Sequence, residues 1–199
     1  VMTGVAATEQ AREMLSTAVE EEHRFEQKQE PVAEGKGTSL SGVKRSFAEI
    51  ADYVNKYPAM SKGSFLGNLN PKFSKKLSNA IKAYARNIKE EEVFALYDDT
   101  LFGSGKEGFV MTLQGLIIKT SMYKLFTCSY SDITGLKLVY NEGTNLTGLS
   151  VDTKNGMGKI TGWLGEEASA ELARRINEIV KYMFALEEVP FTVERVTIA

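Results

Sequence analysis

Residues 93–163, VFALYDDTLFGSGKEGFVMTLQGLIIKTSMYKLFTCSYSDITGLKLVYNEGTNLTGLSVDTKNGMGKITGW, decide the fold of this chain. Apolar side chains recur there with a period near two, in short runs rich in β-branched and aromatic residues. Gly, Asn and Asp break the runs. Seven runs read as strands, at 93–98, 108–113, 116–121, 123–130, 136–141, 147–152 and 158–163. The short gaps predict antiparallel neighbours joined as hairpins and meanders. Leu136, Leu138 and Tyr140 alternate with Lys137, Val139 and Asn141, the pattern of a sheet with one wet face.

Downstream, the period lengthens to that of a helix over 166–186. Ala168, Leu172, Ile176, Ile179, Val180 and Met183 form its apolar stripe, and Glu166 and Glu167 suit the positive end of its dipole. The tail at 189–196 is apolar and β-prone, and reads as one more strand or a strap. Upstream, Ser46 and Glu49 have the spacing of a capping box, and Phe47, Ile50, Ala51 and Val54 line one face of a helix that ends before Pro58. Residues 58–71 read as a loop. A helix over 72–88 follows, with Phe73, Leu77, Ile81, Tyr84, Ala85 and Ile88 on its apolar side. Further back, Thr8 caps a helix carrying Ala11, Met14, Leu15, Ala18 and Val19. Residues 26–42, with Pro31 among Gln, Glu, Lys, Gly and Ser, read as a linker. Four segments result: 1–45 as helix and linker, 46–90 as a two-helix region, 91–188 as the strands with their helix, and 189–199 as a strand-like tail.

Of 199 residues, 43% are hydrophobic, enough for a core and against overall disorder. Lys and Arg total 24 against 26 Asp and Glu, a net charge of -2. That balance argues against nucleic-acid binding by phosphate neutralisation. The single cysteine, Cys128, lies in an apolar run and reads as a buried small hydrophobe. No stretch has the roughly 20 apolar residues of a membrane span, and the first residues lack the basic and apolar regions of a signal peptide. With one cysteine, a reducing, cytoplasmic compartment is expected.

Seven antiparallel strands followed by one amphipathic helix is the order of a pleckstrin-homology-like barrel, open at one corner and covered there by the helix. Specific residues strengthen this. The segment 97–109, the Thr112-Leu113-Gln114-Gly115-Leu116 turn and Ser129-Tyr130-Ser131-Asp132-Ile133 resemble segments of a bacterial, largely uncharacterised pleckstrin-homology-like family. The resemblance covers about 90–187. It implies an α+β fold, a seven-stranded antiparallel barrel capped by a C-terminal helix and preceded by a helical region. It implies no substrate.

Gly103-Ser104-Gly105-Lys106 invites a phosphate-loop reading. The motif's first glycine position holds Thr100, Glu107 follows the lysine, and a strand comes next, so a hairpin loop fits better. Lys106 faces Asp98, Asp99 and Glu107 in that loop, which argues against inositol phosphates there. Asp98 and Asp99 point to opposite faces and cannot chelate together, and Asp99 reads as a turn cap. Leu101 and Phe102 fall at the loop tip, where packing over one barrel end competes with an exposed contact site. Lys72, Lys75, Lys76, Lys82 and Arg86 form the polar face of helix 72–88, either an ordinary solvated face or a surface for anionic lipid or RNA. Trp163 reads as core filler where helix meets barrel. The only histidine, His23, is remote, and no triad, carboxylate pair or metal set assembles.

The sequence therefore predicts a non-enzymatic binding or scaffolding module for protein partners, with no metal, cofactor or small-molecule substrate. Its interaction residues are Leu101, Phe102, Lys106, Lys75, Lys82 and Arg86, and peripheral binding to anionic membrane through the 72–86 face is the alternative. The first helix and the C-terminal tail each carry an apolar stripe without an evident partner, so concentration-dependent self-association is expected.

Overall fold

Ser46 starts the first helix as the capping box requires. Its Oγ accepts the Glu49 N–H at 3.3 Å, and its own N–H donates to Glu49 Oε2 at 2.8 Å. These groups belong to a computed structural model that describes residues 42–60, 64–100, 102–120, 123–161 and 164–198. The Thr8 helix, the linker to residue 41, His23, Leu101 and Trp163 lie outside the described residues. The chain divides into a unit ending at Gly37 and a unit from Thr38 to Ala199, and all that follows concerns the second.

In chain order the elements are α1 (Phe47–Asn55), β1 (Ser64–Gly67), α2 (Phe73–Ala83), β2 (Val93–Asp98), β3 (Gly108–Thr112), β4 (Gly115–Lys119), β5 (Phe126–Ser129), β6 (Ile133–Asn141), β7 (Leu146–Thr153), β8 (Gly156–Thr161), α3 (Glu166–Phe184) and β9 (Thr192–Ile198). All seven expected strands are present as β2 to β8, with ends that differ by a few residues. The fold is α+β, with mainly antiparallel sheets and a C-terminal helix.

A single seven-stranded barrel does not form. Among the described residues nine strands make two sheets, of order β1-β2-β3-β4-β5 and β8-β7-β6-β9. The physical reason lies at the edges. Closing a barrel needs the free edges of β2 and β6, and each is already paired. β1 takes the β2 edge antiparallel, and β9 takes the β6 edge in parallel. Between β5 and β6 a 3₁₀ turn at Tyr130–Asp132 redirects the chain. β1 falls in the stretch expected to be loop. Three residues between Gly63 and Gly67 are too few to show a period, and only the waiting β2 edge makes this stretch a strand.

The two helices of the 46–90 region lie on opposite faces of the first sheet. Ile50, Ala51 and Val54 of α1 join Phe65, Phe94, Tyr97, Phe109, Leu136, Leu149 and the α3 stripe in one core. Phe73, Leu77, Ala80 and Tyr84 join Leu66, Val93, Leu96 and Val110 in a second core on the other face. Every residue of β2 and β3 is therefore buried, because helices cover both faces. α2 stops at Ala83, short of the expected 88. Tyr84 leaves helical geometry at φ -146°, which turns Tyr84 and Ala85 into the second core.

All six expected apolar residues of α3 are buried. So are Ser169, Arg175 and Asn177, because α1 and the tail cover further sides of the helix. Asn177 Nδ2 donates to the Phe191 carbonyl at 2.9 Å, and the Phe191 N–H donates back to Asn177 Oδ1 at 3.0 Å. This clamp delivers the tail to β6. The tail thus has a partner within the chain, which corrects its reading as an unpartnered arm.

The residues that carry the family resemblance have structural work. Thr112 Oγ1 accepts the N–H groups of Gln114 and Gly115 and so closes the β3–β4 hairpin. At Gly115 a Cβ would lie 2.0 Å from the Cys128 carbonyl oxygen, so only glycine fits. Tyr130 is buried and donates to the Thr112 carbonyl at 2.8 Å. Cys128 is buried between these groups, as expected, and burial pushes its thiol up to about 11.

Ile176→Ala is expected to cost about 2–5 kcal/mol, because the helix is held on several sides and the cavity cannot collapse. Urea unfolding of the two chains, followed by circular dichroism, gives that difference.

Candidate functional site

The β2–β3 loop is short, rich in glycine and held firmly against α2. Asp98 ends β2 on the face toward α2. Its Oδ1 accepts the Thr100 N–H at 3.0 Å and the Thr100 hydroxyl at 2.5 Å, an Asx turn. Its Oδ2 pairs with Lys76 Nζ at 2.5 Å, and the two side chains are 0% and 12% exposed. Thr100 Oγ1 in turn accepts the Ser104 N–H at 2.6 Å, and Asn79 Nδ2 donates to the Ser104 carbonyl at 2.7 Å. Gly105, at φ +74°, lies so close that a Cβ would stand 2.6 Å from the Lys76 carbonyl oxygen. The glycines of the loop serve a tight turn and close helix contact, as the hairpin reading expects.

Asp98 and Asp99 do point to opposite faces, but the turn cap is Asp98 and not Asp99. Asp99 turns the other way, and its Oδ1 accepts the Tyr97 hydroxyl at 3.0 Å. Burial, opposed by hydrogen bonds from Thr161 and Tyr97 and reinforced by Glu107 and Asp98, raises the Asp99 carboxyl to about 6. Lys76 also leaves the expected basic face, because the buried Asp98 claims it. The loop is therefore less acidic toward solvent than a count of its carboxylates suggests.

Phe102 stands at the tip of this loop, 92% exposed. Packing over a barrel end is not its role. Lys106 of the same loop is exposed, as are Lys75 and Lys82 on α2 and Arg86 just beyond its C-terminal end. Lys75 and Lys82 are seven residues apart and share one side of the helix, and they flank the Lys76–Asn79 stretch on which the loop rests. The structure thus gathers the loop and the basic face into one neighbourhood. Residues 71–89 carry Lys72, Lys75, Lys76, Lys82, Arg86 and Lys89 and no acid.

Sequence reasoning missed two features. Tyr123, Leu125 and Met157 are partly exposed apolar side chains, and Lys159 Nζ donates to the Tyr123 hydroxyl at 2.9 Å. Nothing in a strand pattern marks which of its outward residues stay uncovered. The second is Arg175, fully buried, whose Nη1 has no hydrogen-bond partner. An unmade hydrogen bond on a buried group costs about 1–3 kcal/mol. The only sequence signal was a cation beside the apolar stripe.

Among the described residues no three His, Cys, Asp or Glu side chains gather as a metal site requires, and no helix is long and apolar enough to cross a membrane. Compared with known proteins, the chain matches no family model, no curated protein and no solved structure.

The Asp99 carboxyl yields a pH test. Its folded value of about 6 lies above the ordinary 3.8. Between those values the folded chain keeps a proton that the unfolded chain has released, so stability falls as pH rises through the window. The penalty is complete above about pH 6 and amounts to roughly 1–3 kcal/mol. Asp99→Asn is expected to be more stable than the native chain at pH 7.5, with the gap closing toward pH 4.5. Urea melts at the two pH values measure it.

Proposed function

We propose that this chain is a non-enzymatic binding module that captures an acidic segment of a protein partner on the surface formed by Phe102, Lys106 and the exposed face of α2. The observation that carries the reading is Phe102, an aromatic ring 92% exposed on a loop that five hydrogen bonds or ion pairs and a glycine contact hold in place. Water-exposed phenylalanine on an anchored loop is poorly explained by folding, and an anchored loop loses little entropy on binding. Lys75, Lys82 and Arg86 supply charge of one sign, so an acidic partner is the complementary one. The resemblance to bacterial pleckstrin-homology-like proteins supports the fold of such a module, with β2 to β8 and α3 as its seven strands and capping helix, and names no partner. Burial of the Asp98 charge by Lys76 supports the sign of the partner.

The test places a photo-crosslinking phenylalanine analogue at position 102 in the full chain. The expected adduct is a peptide rich in Asp and Glu. It should be lost on adding Lys75→Glu and Lys82→Glu, and should weaken in high salt. Phe102→Ala should weaken capture while changing stability by less than about 0.5 kcal/mol. No adduct, together with salt-sensitive flotation on phosphatidylserine vesicles, would reject the protein partner in favour of a membrane surface.

A further inference from the structure

A second surface joins exposed apolar side chains to cations. Tyr123, Leu125 and Met157 are 40%, 53% and 42% exposed. Tyr123 and Leu125 lie between β4 and β5, and Met157 lies on β8. β5 and β8 each end a sheet, and no strand pairs with their outer sides among the described residues. Side chains stitch the seam between these two edges. Thr120 Oγ1 donates to the Lys159 carbonyl at 3.4 Å. Lys159 Nζ donates to the Tyr123 hydroxyl at 2.9 Å and stands 4.7 Å from the centre of its ring. Lys119 Nζ donates to the Tyr123 carbonyl. Phe126, next to Leu125, packs so close to Gly158, next to Met157, that a Cβ there would stand 2.4 Å from the Phe126 ring. The three apolar side chains are thus held in one neighbourhood, and Lys124, between Tyr123 and Leu125, is exposed. Residues 108–131 and 153–163 carry Lys119, Lys124, Lys154 and Lys159 and no acid. Asp152, opposite Met157 in register, is already paired with Lys137 at 2.5 Å.

We propose that this seam is a docking surface for an anionic lipid bilayer, with Leu125, Met157 and the Tyr123 ring entering the interface and Lys119, Lys124 and Lys159 facing the headgroups. Several observations select that occupant. The chain has a net charge of -2, so the positive charge here is a local feature that attracts an anionic surface. Every cation of the patch is a lysine. Lysine is a point charge that suits the diffuse field of a headgroup layer, whereas a fixed carboxylate is better met by the fork of an arginine. A second copy docked symmetrically would set lysine against lysine. Tyr123, with its hydroxyl held by a cation and its ring partly exposed, has the amphipathic character that suits the boundary between headgroups and acyl chains. Apolar contact and electrostatic attraction then add on one surface. The seam shares no residue with the Phe102 surface, so either can fail while the other stands.

Flotation of the full chain tests the proposal, on phosphatidylcholine vesicles with and without about one-third phosphatidylserine. The native chain is expected to float only with the serine lipid and to be released by high salt. Lys124→Gln should weaken partitioning about fivefold. Leu125→Asn combined with Met157→Gln should weaken it about tenfold or more. These side chains are exposed, so circular dichroism should not change. In Leu125→Trp, brominated acyl chains should quench tryptophan emission beyond the response of Trp163 in the native chain. No flotation on the serine lipid overturns the proposal. So does flotation that survives Leu125→Asn with Met157→Gln but is lost in Lys75→Glu with Lys82→Glu, which moves the membrane contact to α2. Flotation without quenching, displaced by soluble polyglutamate, overturns it in favour of an acidic protein segment.

Discussion

The structure depends on the burial of α3 in the core that both sheets line. Leu172, Ile176, Ile179, Val180 and Met183 have no exposed surface, and each buried aliphatic side chain of this size contributes about 1.5–3 kcal/mol against water. Without this helix the inner faces of both sheets would meet solvent. Its position also sets the topology. A parallel strand pair needs a long crossover, and the α3 crossover returns the chain beside β6 so that β9 can pair there. The Asn177 clamp on Phe191 fixes where the return begins. α1 closes the remaining side, where Tyr53 stacks on Tyr182 with centroids 4.2 Å apart and Tyr57 donates to Glu178 at 2.7 Å.

A second layer follows from the first. With the inner face of the first sheet filled, the outer face of β2 and β3 is still apolar, and α2 covers it. Covering that face brings Lys76 over Asp98 and so shapes the β2–β3 loop. A buried ion pair of this kind is weak evidence for stability, since desolvation opposes the attraction. Its use here is positional. Asp98 orders Thr100, Thr100 orders Ser104, and Phe102 is left at a defined tip. Anchored presentation of an apolar ring near exposed cations combines specificity with electrostatic steering.

The edges of the two sheets are managed unevenly. β9 carries Glu194 and Arg195, and Arg195 pairs with Glu166 at 2.9 Å, which blunts that edge with charge. β1 is short and flanked by a groove, with a spare guanidinium N–H behind its wall. The proposed contact surface at Phe102 thus sits where packing left an aromatic ring in water.

The sequence alone determined what is local. The capping box at Ser46 and Glu49, the seven runs from 93 to 163, the stripe of α3 and the opposed directions of Asp98 and Asp99 follow from spacing, because neighbouring residues set those periods. Tertiary structure decided what depends on distant partners. β1 became a strand because β2 had a free edge, and β9 found β6 across a helix, so two sheets replaced one barrel. Lys76 left the basic face because Asp98 lay buried beneath it. Phe102 stayed in water, where the sequence had set packing against exposure. Arg175 kept an unpaired nitrogen under Tyr57 and Phe65. Each outcome turns on which surfaces meet in space, and periodicity along the chain carries no record of that.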